Sequence, residues 1–192
     1  GWYTAMQWDG ATWTTMTGNT SKNFQGIHGF AGDDVWAVGN YGAVVRWNGT
    51  QWSPVSSGTT QNFRSVHGSG PNDVWIVGEL GSVMRFNGTD LEVIDSGTTE
   101  TLEDVWVAAP DDVIVVGRKG TILRWDGTQF LDESPPGFNA TLYTVGGTPG
   151  GLITTTGTHE LLLGPMLQVP ENISPADTGT MAENYEISWT VK

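Results

Sequence analysis

The chain has 192 residues, 21 acidic against 8 basic, a formal net charge of −13, and no cysteine. That balance excludes a nucleic-acid binder, which needs Lys and Arg to displace counterions from phosphate, and argues equally against docking on anionic lipid. Disulfides are excluded too, and no membrane insertion is expected: the longest apolar runs, residues 113–116 and 161–163, are strand-sized.

In chain order, residues 2–8 read as a strand, and Asp9-Gly-Ala-Thr-Trp13 as a hairpin into another. From Phe24 the chain becomes repetitive. Asp34-Val-Trp-Ala-Val-Gly39 recurs as Asp73-Val-Trp-Ile-Val-Gly78 and as Asp112-Val-Ile-Val-Val-Gly117. Each copy is followed by a second motif: Arg46-Trp-Asn-Gly-Thr-Gln-Trp52, Arg85-Phe-Asn-Gly-Thr-Asp-Leu91 and Arg124-Trp-Asp-Gly-Thr-Gln-Phe130. Trp8, Trp47, Phe86 and Trp125 stand 39 residues apart. Each repeat resolves into four short strands, in the first copy residues 24–28, 35–38, 43–47 and 51–55. Asn48-Gly49, Asn87-Gly88 and Asp126-Gly127 read as two-residue hairpins, with positive φ at both positions.

The second strand is apolar on both faces, as Val35, Trp36, Ala37 and Val38 show. A half-exposed strand would alternate, so this one is expected between two other layers. Four-stranded units repeating near 40 residues are the signature of a β-propeller. A solenoid is the competing architecture, but no polar capping repeat is visible. Three repeats are well kept, at 24–62, 63–101 and 102–141, and a degenerate one occupies 142–168. Residues 1–23 and 177–192 supply the rest, after a proline-rich linker at about 165–181. Ile187-Ser-Trp-Thr-Val191 matches the second strand, and from Trp189 through Lys192 and on from Gly1 to Trp8 takes as many steps as from Trp36 to Trp47. The expectation is therefore one all-β domain: a five-bladed β-propeller of four-stranded antiparallel blades, the fifth built from both termini. Trp2, Trp8, Ile187, Trp189 and Val191 are the expected closure residues. The same strands pairing between neighbouring subunits would make a head-to-tail filament. Closure within one chain has the advantage of local concentration.

The two motifs resemble the tandem repeats of secreted propellers from myxobacteria and related bacteria. They are also similar to Asp-box and photosystem-II-assembly-factor propellers, with an Asp-x-Gly-x-x-Trp-like hairpin between third and fourth strands. Asp9, Gly10 and Trp13 match that hairpin, as do Asp126, Gly127 and Phe130; Asn48 and Asn87 replace Asp, and the Ser that opens an Asp-box is absent. The resemblance covers roughly residues 2–130 and implies a propeller in which the box itself is structural.

Three sets of side chains carry candidate chemistry. Trp13, Trp52 and Phe130 follow the hairpins, beside Gln51 and Gln129, and aromatics next to amides are the usual means of stacking a sugar ring. The competing role is packing at the blade edge. No metal is expected; His28 and His67, at equivalent inner-strand positions, are the weak candidates, with Asp34 and Asp73 of the recurring acidic turns. The competing role is a structural His–Asp bond, or turn-capping by the carboxylates. Arg46, Arg85 and Arg124 recur once per blade, which reads as structure. No cysteine nucleophile, Gly-x-Ser-x-Gly motif, phosphate loop or catalytic carboxylate pair is present, and no cofactor is expected.

Low Lys, ten Trp, many Gly and Thr, and a first residue that is not Met read as a processed or excised secreted form, hence an extracellular or cell-surface location. The function expected is a non-catalytic structural or adhesive propeller module, extended to self-assembly into a surface filament through terminal strands. The alternative is a carbohydrate-binding, lectin-type propeller. Expected partners are the protein itself or a glycan, and no nucleic acid.

Overall fold

The computed structural model describes residues 4–17, 22–147, 152–157 and 161–165, which are strand, turn and loop apart from single 3-10 turns at Asn40–Gly42, Glu79–Gly81 and Arg118–Gly120. Three sheets have four antiparallel strands each. The first contains β3 (Phe24–Ala31), β4 (Asp34–Gly39), β5 (Ala43–Trp47) and β6 (Trp52–Pro54). The second contains β7 (Phe63–Gly70), β8 (Asp73–Gly78), β9 (Val83–Phe86) and β10 (Leu91–Ile94). The third contains β11 (Leu102–Ala109), β12 (Asp112–Gly117), β13 (Ile122–Trp125) and β14 (Phe130–Asp132). Before them lies a hairpin of β1 (Thr4–Trp8) and β2 (Trp13–Thr17). After them comes a three-stranded sheet of β15 (Leu142–Gly147), β16 (Leu152–Gly157) and β17 (Leu161–Pro165). The degenerate repeat thus keeps a second strand that its sequence hides.

Each four-stranded sheet is a meander in sequence order, and its first strand packs beside the first strand of the next: β3 on β7, β7 on β11, β11 on β15. The approach is close. A Cβ on Gly26 would stand 3.0 Å from Ser65 Cα. The core lies between sheets. Trp36 and Val38 of β4 cluster with Val66, Ile76, Met84 and Phe86 of the second sheet. Trp75 and Val77 of β8 cluster in the same way with Val105, Val115, Leu123 and Trp125 of the third. This is why the second strand is apolar on both faces: one face meets the preceding sheet, the other the following one.

The turns differ from the sequence expectation in two ways. The hairpins are not two-residue loops. Trp47 pairs with Trp52, Phe86 with Leu91, Trp125 with Phe130 and Trp8 with Trp13, so four residues form each loop. Only the glycines there have positive φ. The reason is that Asn or Asp spends its side chain on the turn itself: Asn48 Oδ1 accepts from Thr50 N at 3.0 Å and Gln51 N at 2.9 Å. The second difference is at the turns from second to third strand. Tyr41, Leu80 and Lys119 take φ of 57°, 54° and 54°, a left-handed conformation that bulky side chains rarely adopt.

Candidate functional site

The Asp-box-like hairpins are locally self-sufficient. Asp126 Oδ1 accepts from Thr128 N at 2.8 Å, Thr128 Oγ1 at 2.7 Å and Gln129 N at 2.9 Å. Asp9 Oδ1 accepts from Ala11 N at 2.8 Å and Thr12 N at 2.7 Å. These donors hold both carboxyls below the usual carboxylate range, led by Thr128 for Asp126 and the Thr12 backbone for Asp9. Gln51 and Gln129 expose their side chains while their backbone N–H groups complete the turns.

The aromatics expected to stack a sugar divide. Trp52 is only 9% exposed and lies against Trp47 at 5.7 Å between ring centroids. That leaves its ring little open face on which to stack a sugar. The residue after the hairpin pairs across the strands with the third-strand aromatic, and both turn inward. Phe130 is half-buried and edge-on to Trp75 at 5.9 Å and to Trp125 at 5.2 Å, so it too is packed. Trp13 is different: it is 62% exposed, and its ring stands 5.5 Å from that of Trp8. Of the expected closure residues only Trp8 is described; Trp2, Ile187, Trp189 and Val191 lie outside the described residues.

The recurring acidic turns hold arginine, which commits Asp34 and Asp73 to ion pairs. Asp34 accepts from Arg46 Nε at 2.7 Å and Nη2 at 3.0 Å. Asp73 pairs with Arg85 at 2.8 Å and also accepts from Trp75 Nε1 at 3.1 Å. Asp112 pairs with Arg124 at 3.0 Å. Each guanidinium crosses from third strand to second, and those of Arg46 and Arg85 lie over the second-strand indole, 5.1 Å from the Trp36 ring and 4.9 Å from the Trp75 ring. The one-per-blade arginine was legible in the sequence, but its partner was not.

His28 and His67 do come together, with ring centroids 4.3 Å apart across neighbouring sheets. The expected His–Asp bond is not the one formed by His67: its Nδ1 accepts from the Val107 backbone N at 3.1 Å, one sheet further on. Burial lowers the basicity of both rings, and that of His67, with His28 beside it, falls to about 4. Both are thus neutral at physiological pH. Among the described residues no group of three or more His, Cys, Asp or Glu side chains is placed to hold a metal.

One feature of the first sheet was not legible. Val66 and Val105 are 4% and 2% exposed, whereas Ile27, their counterpart on β3, is 68% exposed. Phe63 and Leu102 are fully buried, whereas Phe24 is 39% exposed. The second and third sheets have this face covered by the inner strands of the sheet before. Among the described residues, only the β1–β2 hairpin precedes the first sheet, and it sits beside the outer strands, where Met16 packs near Trp47 and Trp52. A cleft of about 320 Å³ remains, lined by Met6, Met16, Phe24, Ile27, Val45 and Trp52.

No protein-family model and no curated protein matches the chain. Solved structures do. YCF48 bound to D1 peptide superposes with a TM-score of 0.64 at 18% identity, over 84% of this chain and 57% of that one. YCF48 from Cyanidioschyzon merolae gives 0.63 at 15% identity, over 82% of this chain and 58% of that one. At such identities the likeness shows the fold alone. The fold is a β-propeller of four-stranded antiparallel blades, and the chain spans somewhat more than half the length of those YCF48 structures.

Proposed function

We propose that this chain is a non-catalytic structural or adhesive propeller module of an extracellular surface. Its ring has five blades, the fifth made of residues 1–23 and 177–192, and its partners are proteins, first of all other copies of itself. The observation that carries this reading is the open inner face of the first blade. An apolar sheet face beside a half-built blade is completed by β-strands, not by a small molecule. Copies that exchange those strands join head to tail. Two further observations support it. The recurring Asp, Arg and hairpin carboxylates all serve the fold, and a propeller of this architecture has been solved holding a peptide.

Light scattering after size exclusion, with negative-stain imaging, tests the reading across a concentration series. The expected result is a compact monomer at low concentration and chains of particles at high concentration. Deleting residues 186–192 should abolish the chains and destabilise the monomer. A truncated protein as stable and as assembled as its parent would sink it.

A glycan partner is the second reading, and the exposed Trp8–Trp13 pair beside Asp9 favours it. It predicts one site rather than a ring of five, since Trp52 and Phe130 are packed. Trp13→Ala should then abolish retention on a glycan array without shifting the unfolding midpoint. No binding to any glycan by the parent would remove this reading.

A further inference from the structure

We infer that residues 187–191 lie along β1 of the same chain and seat the Trp189 indole against Trp47 and Trp52. The inference rests on the five-blade reading and names the side chain that completes the blade interface.

The second and third blades each receive the second-strand tryptophan of the blade before on an equivalent set of side chains. Trp75 shares one apolar cluster with Val105, Val115, Leu123, Trp125 and Phe130. Trp36 shares another with Val66, Ile76, Met84, Phe86 and Leu91, the residues 39 positions earlier. A further 39 positions earlier stand Ile27, Ala37, Val45, Trp47 and Trp52. Those last four form a cluster of their own, and among the described residues no second-strand tryptophan enters it. The receptor is present, and the open cleft adjoins it. In Ile187-Ser-Trp-Thr-Val191, Trp189 stands where Trp36 and Trp75 stand, and Val191 where Val38 and Val77 stand. Residues two apart on a strand share a face, so Trp189 and Val191 point together, as their counterparts do. Val38 and Val77 sit in the same clusters as Trp36 and Trp75 and as Phe63 and Leu102. Val191 would cover Phe24 in the same way.

Charge gives an independent argument. Every complete blade pairs a third-strand arginine with a second-strand aspartate: Arg46 with Asp34, Arg85 with Asp73, Arg124 with Asp112. On β1 the position 39 before Arg46 is Gln7, and the position in 187–191 that matches Asp34 is Ile187. Both members of the pair are replaced by neutral residues. An arginine on β1 would need a carboxylate beside it, and Ile187 beside an arginine would strand the charge. The charged pair is lost from both segments together, as it would be if they share one blade.

Reach and concentration assign the segment to its own chain. The residues between 165 and 187, at about 3.3 Å each, extend to roughly 70 Å, ample for any path across one propeller. A tethered strand also acts at an effective concentration that separate molecules match only when concentrated.

The test is a disulfide placed by the register of intact blades. Ala37 pairs with Val45, so Thr190 should pair with Met6. The chain has no cysteine of its own. Met6→Cys with Thr190→Cys in the full chain, oxidised at high dilution and digested, should crosslink within single chains in most molecules. Trp189→Ala should lower the denaturant midpoint as far as Trp36→Ala does, and Trp189→Phe by less than half as much. Crosslinking of Met6→Cys to Ser188→Cys instead would keep the fifth blade but overturn this seating of Trp189. Crosslinks that join two chains at high dilution would keep the blade and overturn the own-chain assignment. No crosslink in either pair, with Trp189→Ala as stable as the parent, would overturn the inference and the five-blade reading together.

Discussion

At the scale of single residues, the second-strand tryptophans do most to tie one blade to the next. Trp36 and Trp75 are fully buried, and each spans the interface to the following blade. Trp36→Ala leaves a large cavity in a packed interface and should cost about 3–5 kcal/mol, read from the denaturant midpoint at unchanged slope. These residues were legible because an indole in an unbroken apolar run has no solvent face to occupy. The Asp–Arg pairs were half legible. The arginine recurs visibly, but its partner lies 12 residues back and is found only when the register brings Arg46 opposite Trp36. The histidines give a prediction with a sign. His67 titrates at about 4 in the folded protein against 6.5 for a free histidine, so between those values the unfolded chain binds the proton first. The neutral ring stabilises the fold fully above pH 6.5, and that contribution is lost as the pH falls through about 4. Thermal midpoints measured across this window should decline on acidification. His67→Gln, which does not titrate, should flatten most of the decline; a decline of the same size in that variant would place its origin elsewhere.

At the scale of elements, the turns store strain and the strands do not. Leu80 holds a left-handed φ of 54° while its side chain is largely exposed, so little burial offsets the backbone cost. Leu80→Asn, a residue that tolerates this conformation, should stabilise the protein by about 0.5–1 kcal/mol. An unchanged or lower melting temperature would mean that the leucine makes a contact worth more than the strain. The neighbouring glycine is the opposite case. Gly81 has φ of +67°, and a Cβ there would stand 1.9 Å from Thr98 O, against backbone that cannot yield. Gly81→Ala should therefore destabilise by more than ~2 kcal/mol in the same assay. The glycine of these turns was legible; the bulky left-handed residue before it was not, because Tyr41, Leu80 and Lys119 share no chemistry. The hairpins depart from the two-residue expectation for a related reason. Asn-Gly favours a two-residue turn when nothing else acts, but Asn48 and Asp126 bond the backbone two and three residues on and hold a four-residue loop open.

At the scale of the whole molecule, the question is what covers the first blade. The period of 39 made the propeller legible, because it repeats a supersecondary unit that cannot bury its own faces. The open face was not legible, because Ile27 and Val66 look alike in sequence and differ only in what precedes them in space. That difference supplies a test at the level of the ring. Val66 is buried on β7, and Val66→Ala should cost about 1–2 kcal/mol from transfer and cavity terms. Ile27 occupies the same place on β3. Exposed to water, Ile27→Ala would cost a few tenths of a kcal/mol at most. Covered by the inner strands of a fifth blade, it should cost about 2 kcal/mol, because isoleucine loses one carbon more than valine on truncation. The five-blade reading predicts the larger value, and predicts that it shrinks when residues 186–192 are removed, since the same strands supply both the cover and the cost. A near-neutral Ile27→Ala in the full chain, beside a costly Val66→Ala, would leave the first blade open to solvent and the ring unclosed.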